Sequence, residues 1–433
     1  MRERRFGLVW VWSVFAVVAV IASAAPCLAQ PAPAAPAATT GASAGFDPVA
    51  ATEAYLAKVP AEQRARSDAY FEGGYWLILW DFLLGAAVGL ALLFTRLSAR
   101  MRDLAARVTR LTWLQTALYW VQYLVITALV SAPLSVYEGY FRDRKYGLAT
   151  QTLGPWLGDQ LKGLAIGALF GGLLIVLVYL VIRRAPRTWW MWGAGVAIVF
   201  LLIGQIIAPV FIAPLFNHYT KLEDPAIREP ILRLARANGI PATDVWVFDA
   251  SRQTTRVSAN VSGLGGTSRI SLNDNLLKRC SLAEIEATMG HEMGHYVLNH
   301  GSKGMIELGV LAVIGFALMR WGFDKLHRRW GARWGISGIG DVAGLPVLAL
   351  LLSAYSFVLT PVTNTIVRTA EAEADIFGLN AARQPDGEAE VDLKLGEYRK
   401  LKPTPLEEFI FFDHPSGYNR ILMAMRWKAE NLH

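Results

Sequence analysis

The stretch from Met289 to His300, MGHEMGHYVLNH, holds three histidines and one glutamate within twelve residues. In HEMGH, His291 and His295 stand four positions apart, so on a helix both imidazoles project from one face and can bind a single zinc ion. Glu292 lies one step round the helix. From there it can reach a zinc-bound water without displacing it, take its proton as general base and deliver that proton to a leaving amine. A zinc ion so held polarises the scissile carbonyl and lowers the pKa of its water to about 7. The competing reading of so short a pattern is an ordinary amphipathic helix with solvated or packed histidines.

A third protein ligand is needed. The metzincin layout would put a histidine six residues after His295 and a glycine at the third, where this chain has Gly301 and Leu298. His300 is out of register with that layout and reads as a surface or helix-end histidine. A carboxylate must then come from elsewhere. The segment RTAEAEADIFGLNAAR (Arg368 to Arg383) offers Glu371 and Asp375 on one helix face, so that one can bind metal while the other supports a histidine or the transition state.

The elements that must position these groups are also legible. The motif helix opens with a capping box, Ser281-Leu-Ala-Glu284. Before it come a helical pattern over Glu223 to Ile240, an alternating strand-like run DVWVFDAS, a turn in SGLGG and a second short strand in SRISLNDNLL. Helix, small sheet and helix is the order in which zinc-dependent peptidases build their catalytic core.

Around this core the chain is strongly apolar. Of 433 residues, 54% are hydrophobic, and windows at Tyr75–Phe94, Trp113–Pro133, Leu164–Ile182, Trp189–Val210, Ile306–Met319 and Val342–Pro361 approach the ~20 residues that a bilayer-crossing helix needs. The net charge of +7 sits in short loops between these windows, which argues for membrane orientation and against nucleic acid. Arg96 to Arg110 carries five arginines against one aspartate, and Arg320 to Arg333 five basic residues against one acidic. With RRAPR (Arg183 to Arg187), these loops are expected in the cytoplasm, which puts the catalytic face on the periplasmic side of a bacterial-type inner membrane. The N-terminal RERR and the apolar run after it read as a signal peptide or an anchor, followed by an exported Pro/Ala-rich linker. The two cysteines, Cys27 and Cys280, offer no disulfide framework.

The expected organisation is a signal peptide or anchor (1–30), an exported linker and helix (31–74), four transmembrane helices (75–210), a zinc peptidase core with the HExxH helix (211–304), two transmembrane helices (305–363) and a C-terminal catalytic segment with the third ligand (364–433).

In order along the chain, YGLATQTLGPWLGDQLKG, IAPLFNHYTKLED, VFDASRQTTRVSANVSGLGGTSRISLNDNLL, HEMGH, EAEAD and HPSGYNR resemble the CAAX prenyl protease type 1 family of integral-membrane zinc metalloendopeptidases. The resemblance runs from about Tyr137 to Leu422. It implies a mainly α, polytopic membrane fold with a gluzincin-type zinc peptidase core and a small β-sheet, its helices enclosing a water-filled chamber. Asp81 and Glu307, charged residues inside apolar windows, fit such a chamber. The resemblance also implies one zinc per chain on His291, His295 and Glu371, with Glu292 as general base. Asp375 would support the site or donate a proton, and His414 would stabilise the developing oxyanion with Arg420 as a nearby charge partner. Asn260 is the nearest candidate for the edge-strand asparagine that holds extended substrate, although the local order Ala-Asn-Val differs from the family's Asn-Ala-aromatic. Glu373 falls where the family varies. The implied partners are membrane lipid and a peptide or protein substrate, of CAAX type or membrane-associated, lipidated or not. Quality-control relatives of the heat-shock type have fewer membrane helices. The reading from a different class is a transporter or scaffold whose histidines bind metal structurally or not at all; it predicts that Glu292 is dispensable.

Overall fold

The computed structural model describes residues 46–263 and 269–432. The signal-peptide or anchor expectation, most of the exported linker and the Gly-rich end of SGLGG fall outside the described residues. After a short helix, Pro48–Ala57, four long apolar helices follow: α1 (Ala61–Phe94), α2 (Thr112–Lys145), α3 (Leu153–Arg184) and α4 (Trp189–Leu215). The polar insertion comes next, as β1 (Tyr219–Lys221), α5 (Pro225–Ala237), β2 (Val245–Phe248), β3 (Ala259–Ser262), β4 (Arg269–Asn273) and the motif helix α6 (Leu282–Val297). The chain returns to the membrane in α7 (His300–Trp334) and α8 (Leu345–Val358), and ends with α9 (Thr360–Ala382), α10 (Pro385–Leu395) and α11 (Gly417–Asn431).

Among the described residues, five helices, α1 to α4 and α7, are long and apolar enough to cross a bilayer. The sixth window behaves differently: α8 and α9 meet at a 56° bend. With Pro361 in the first turn of α9, the chain turns at Leu359, and the 14 residues of α8 cover only ~21 Å of a ~30 Å core. α1 starts well before its apolar window because polar residues continue the helix beyond it. That extension docks on the C-terminal segment, where Ser67 Oγ donates to Arg399 O at 3.0 Å and Tyr75 O–H donates to Glu407 at 2.7 Å.

The basic loops gather at one end of the bundle. Arg96 Nε donates to Arg333 O at 2.8 Å, Arg102 Nη1 to Asp341 Oδ2 at 2.6 Å, and Arg183 Nε to Gly340 O at 3.2 Å. At the other end, the connection between α2 and α3 is tied to the polar insertion through Thr150 N–H to Gln253 O at 3.1 Å and Thr255 N–H to Leu148 O at 3.1 Å.

The membrane core is built from large buried rings, among them Tyr119, Trp120, Tyr179, Trp189 and Phe323. A second core joins the sheet to α5 and α6 through Ile231, Val245, Ile270, Leu272, Ile285, Met289 and Met293. The sheet is mixed, in the order β1-β2-β4-β3, with β2 and β4 parallel and the outer pairs antiparallel. β3 is therefore an edge strand, and it packs beside the motif helix.

Candidate metal centre

The motif helix is fixed before its histidines do anything. The capping box forms as its sequence dictates, with Ser281 N–H donating to Glu284 Oε2 at 2.7 Å and Glu284 N–H to Ser281 Oγ at 3.4 Å. Lys394 from α10 adds an ion pair to Glu284, and the lysine and the cap together hold that carboxyl below its usual range against the opposing effect of burial. Ile285, Met289 and Met293 recur at four-residue intervals and are buried against the sheet, which anchors one face of α6 at ~1.5–3 kcal/mol per side chain. His291 and His295, offset by two positions from the methionines, look the opposite way.

On that side α9 crosses very close. A Cβ at Gly378 would lie 2.8 Å from His291 N, and one at Gly294 would lie 3.1 Å from Ala374 Cα, so only glycine permits this separation. The close crossing delivers Glu371 to both imidazoles. Glu371 Oε2 lies 3.2 Å from His291 Nε2 and 3.5 Å from His295 Nε2, and the two Nε2 atoms are 3.1 Å apart. Ligands ~2.0–2.1 Å from a tetrahedral zinc are separated by about 3.3 Å, so the triangle has the size such an ion requires. Glu371 Oε2 is also a buried oxygen with no hydrogen-bond partner among the described residues, which a cation would satisfy. The donor set therefore fits zinc.

His414 brings a third imidazole to the same oxygen, its Nε2 being 3.2 Å from Glu371 Oε2 while Nδ1 contacts Asp413 at 2.9 Å. Glu292 lies on α6 one step round from His291 and is partly buried. Asn260 sits in the edge strand opposite Ser271.

Asp375 accepts from His291 Nδ1 at 2.7 Å and from both Nε and Nη2 of Arg420, at 2.9 and 2.6 Å. The Arg420 guanidinium also reaches Glu388 at 3.0 Å and Asp392 at 2.8 Å. The sequence reading made Arg420 a charge partner near His414; the contacts it makes are with Asp375, which lies behind His291, and with Glu388 and Asp392. Burial pushes the Asp392 carboxyl well above its usual range and raises Glu388 as well, against the pull of Arg420. Glu388 and Asp392 were not foreseen. Their helix, PDGEAEVDLKL, carries acidic residues with no pattern that points to a distant arginine.

His300 also differs from its sequence reading. It does begin α7, but it is buried, with Nδ1 2.9 Å from His295 Nδ1 and Nε2 3.0 Å from Glu373 Oε2.

Known proteins resemble the chain along most of its length. Residues 50–218 match the CAAX prenyl protease N-terminal family, described as five membrane helices, and four of the long helices lie in that stretch. Residues 221–428 match peptidase family M48. The Bacillus subtilis metalloprotease YhfN is 31% identical over 346 residues, covering 78% of this chain and 80% of that protein. The chain belongs to the CAAX prenyl protease type 1 family, within peptidase family M48. CAAX prenyl protease 1 of Saccharomyces cerevisiae is 28% identical over 328 residues, 70% of each chain. The crystal structure of S. mikatae Ste24p superposes with a TM-score of 0.70 at 23% identity, covering 85% of this chain and 89% of that one, and shares its fold. Family membership makes the protein a membrane-embedded metalloprotease that acts on peptides or proteins with a metal cofactor, and sets aside the transporter or scaffold reading.

Proposed function

We propose that the protein is an endopeptidase with one zinc ion per chain, held by His291, His295 and Glu371. The observation that carries this reading is the triangle of donor atoms 3.1, 3.2 and 3.5 Å apart around a buried, unsatisfied carboxylate oxygen. When bound, zinc supplies Lewis acidity toward a carbonyl oxygen and toward water.

The chain's own residues do the rest. Glu292 accepts a proton and passes it to the leaving amine. His414, whose Nδ1–H is taken by Asp413, donates from Nε2 as the imidazolium to the carbonyl oxygen as negative charge develops there, in the manner of an oxyanion-hole donor. Asp375, locked by Arg420, accepts from His291 Nδ1 and so turns Nε2 toward the ion. The outer edge of β3, with Asn260 on that strand, offers backbone groups to an extended substrate running beside α6. Buried charges within the long helices, Asp81, Glu138, Arg142 and Glu307, support an enclosed polar interior from which a peptide reaches the site.

The substrate class we infer is CAAX-type or membrane-associated polypeptide, as the names of the relatives suggest. Convergence of the arginine-rich loops at the end of the bundle away from the peptidase core supports a periplasmic catalytic face, which would exclude cytosolic prenylated proteins as substrates. A reporter fused at the C-terminus that is active in the cytoplasm would overturn that orientation.

The test of the activity is purified Glu292→Gln beside wild type. Both are expected to carry about one zinc per chain, with cleavage of a peptide substrate lower in the variant by at least about a hundredfold. Undiminished cleavage would remove Glu292 from the mechanism.

A further inference from the structure

On an uninterrupted helix, a residue five positions after His295 points about 140° away from it, since each residue turns ~100°. His300 nevertheless meets His295, because α6 ends at Val297 and Asn299 takes a left-handed conformation, φ 56°, before α7 begins. The break folds the first residue of α7 back onto the face of His295 opposite Glu371. The His295 Nδ1 to His300 Nδ1 distance is 2.9 Å, and His300 Nε2 lies 3.0 Å from Glu373 Oε2, which also accepts from Lys303 Nζ at 3.1 Å. The His300 side chain is only 6% exposed, while those of Glu373 and Lys303 are 41% and 52% exposed.

The protonation pattern follows from this chain of contacts. A carboxylate can only accept, so His300 Nε2 carries the proton that goes to Glu373, and Nδ1 of the neutral ring is left as an acceptor. His295 Nδ1–H then donates to it, and the lone pair on His295 Nε2 is directed at Glu371 and the proposed ion. We propose that His300 is a positioning residue for His295, fixing its tautomer and ring orientation, with Glu373 as the anchor that fixes His300 in turn. The inference rests on the zinc reading of the site. It assigns a role to Glu373, the middle acidic residue of EAEAD, and to a histidine outside the HExxH pattern.

The experiment uses the full chain in detergent and measures zinc affinity by competition with a chromogenic chelator, together with the visible spectrum of the cobalt-substituted protein. His300→Ala is expected to weaken zinc about 10- to 100-fold and to alter the cobalt bands. His300→Asn, whose amide oxygen can accept from His295 Nδ1–H, is expected to recover most of that loss. Glu373→Gln, at a half-exposed pair, is expected to cost about two- to fivefold. Wild-type affinity in His300→Ala would overturn the inference, as would equal losses in the alanine and asparagine variants, which would mark the side chain as packing alone. Should His300→Ala fail to fold, the decision passes to Glu373→Gln, and an unchanged affinity and cobalt spectrum there overturns it. If wild type binds no zinc, or His291→Ala binds it as well as wild type, the zinc reading itself fails, and that result is distinct from the others.

Discussion

The two HExxH imidazoles that meet Glu371 are backed in opposite ways. Behind His291, hydrogen bonds run inward to Asp375, Arg420, Glu388 and Asp392, whose side chains are all at most 7% exposed. Behind His295 they run outward, through one buried imidazole to a glutamate and a lysine that solvent reaches. Both lines join an imidazole N–H to a carboxylate, but their surroundings differ. In the inner line, any missing partner strands a charge away from water. In the outer line, water and an exposed lysine can compensate. The inner backing is therefore structural as well as functional, whereas the outer one adjusts a single ligand.

The largest expected effect comes from breaking the inner line. Arg420→Met leaves three buried carboxyl groups without their cation, a change that costs about 3–5 kcal/mol when a buried pair loses one member. A marked fall in the apparent melting temperature in detergent, with loss of bound zinc, is the expected result. A variant that kept both would show that the two backings are energetically alike and end the comparison.

A smaller change tests the crossing that brings the inner line to the site. Gly378→Ala puts a methyl 2.8 Å from His291 N, and overpacking of this kind costs about 1–3 kcal/mol. The crossing must open, moving Glu371 and Asp375 together away from α6, so zinc affinity is expected to fall along with stability. Gly338→Ala is the control, since a Cβ there meets nothing within 4 Å. Equal behaviour of the two variants would show that the separation of α6 and α9 does not govern the site.

What could be read in the sequence depended on whether local geometry carried the signal. His291 with His295, and Glu371 with Asp375, were legible because a four-residue step on one helix fixes a shared face. The apolar windows located the membrane helices, but not their full length: α1 runs back to Ala61 because polar residues that leave the bilayer can stay helical, and a hydropathy window is blind to them. The bend at Leu359 was hidden inside a single apolar window. His300 was read as a surface or helix-end histidine; it does stand at a helix end, but the left-handed Asn299 folds it back against His295 and buries it, which spacing alone does not show. Arg420 was found by resemblance alone, and its neighbours come from two other helices, α9 and α10, so no spacing rule could have paired them.

The helix break at Asn299 supplies the mildest test of the comparison. Asn299 holds φ 56° and ψ 37°, a conformation that asparagine and glycine adopt readily and a β-branched residue does not. Asn299→Gly is thus expected to leave stability within about 0.5 kcal/mol of wild type and zinc affinity within about twofold, because the break persists. Asn299→Val is expected to cost about 1–2 kcal/mol and to weaken zinc by an amount similar to His300→Ala, since straightening the chain swings His300 away from His295. The inner line, which does not pass through residue 299, should keep His291 and Asp375 engaged in both variants, so the valine protein should still fold and retain a weaker metal site. If Asn299→Val bound zinc as tightly as Asn299→Gly, the left-handed residue would be a loop feature without bearing on the ligand, and the outer backing would have to be explained without the helix break.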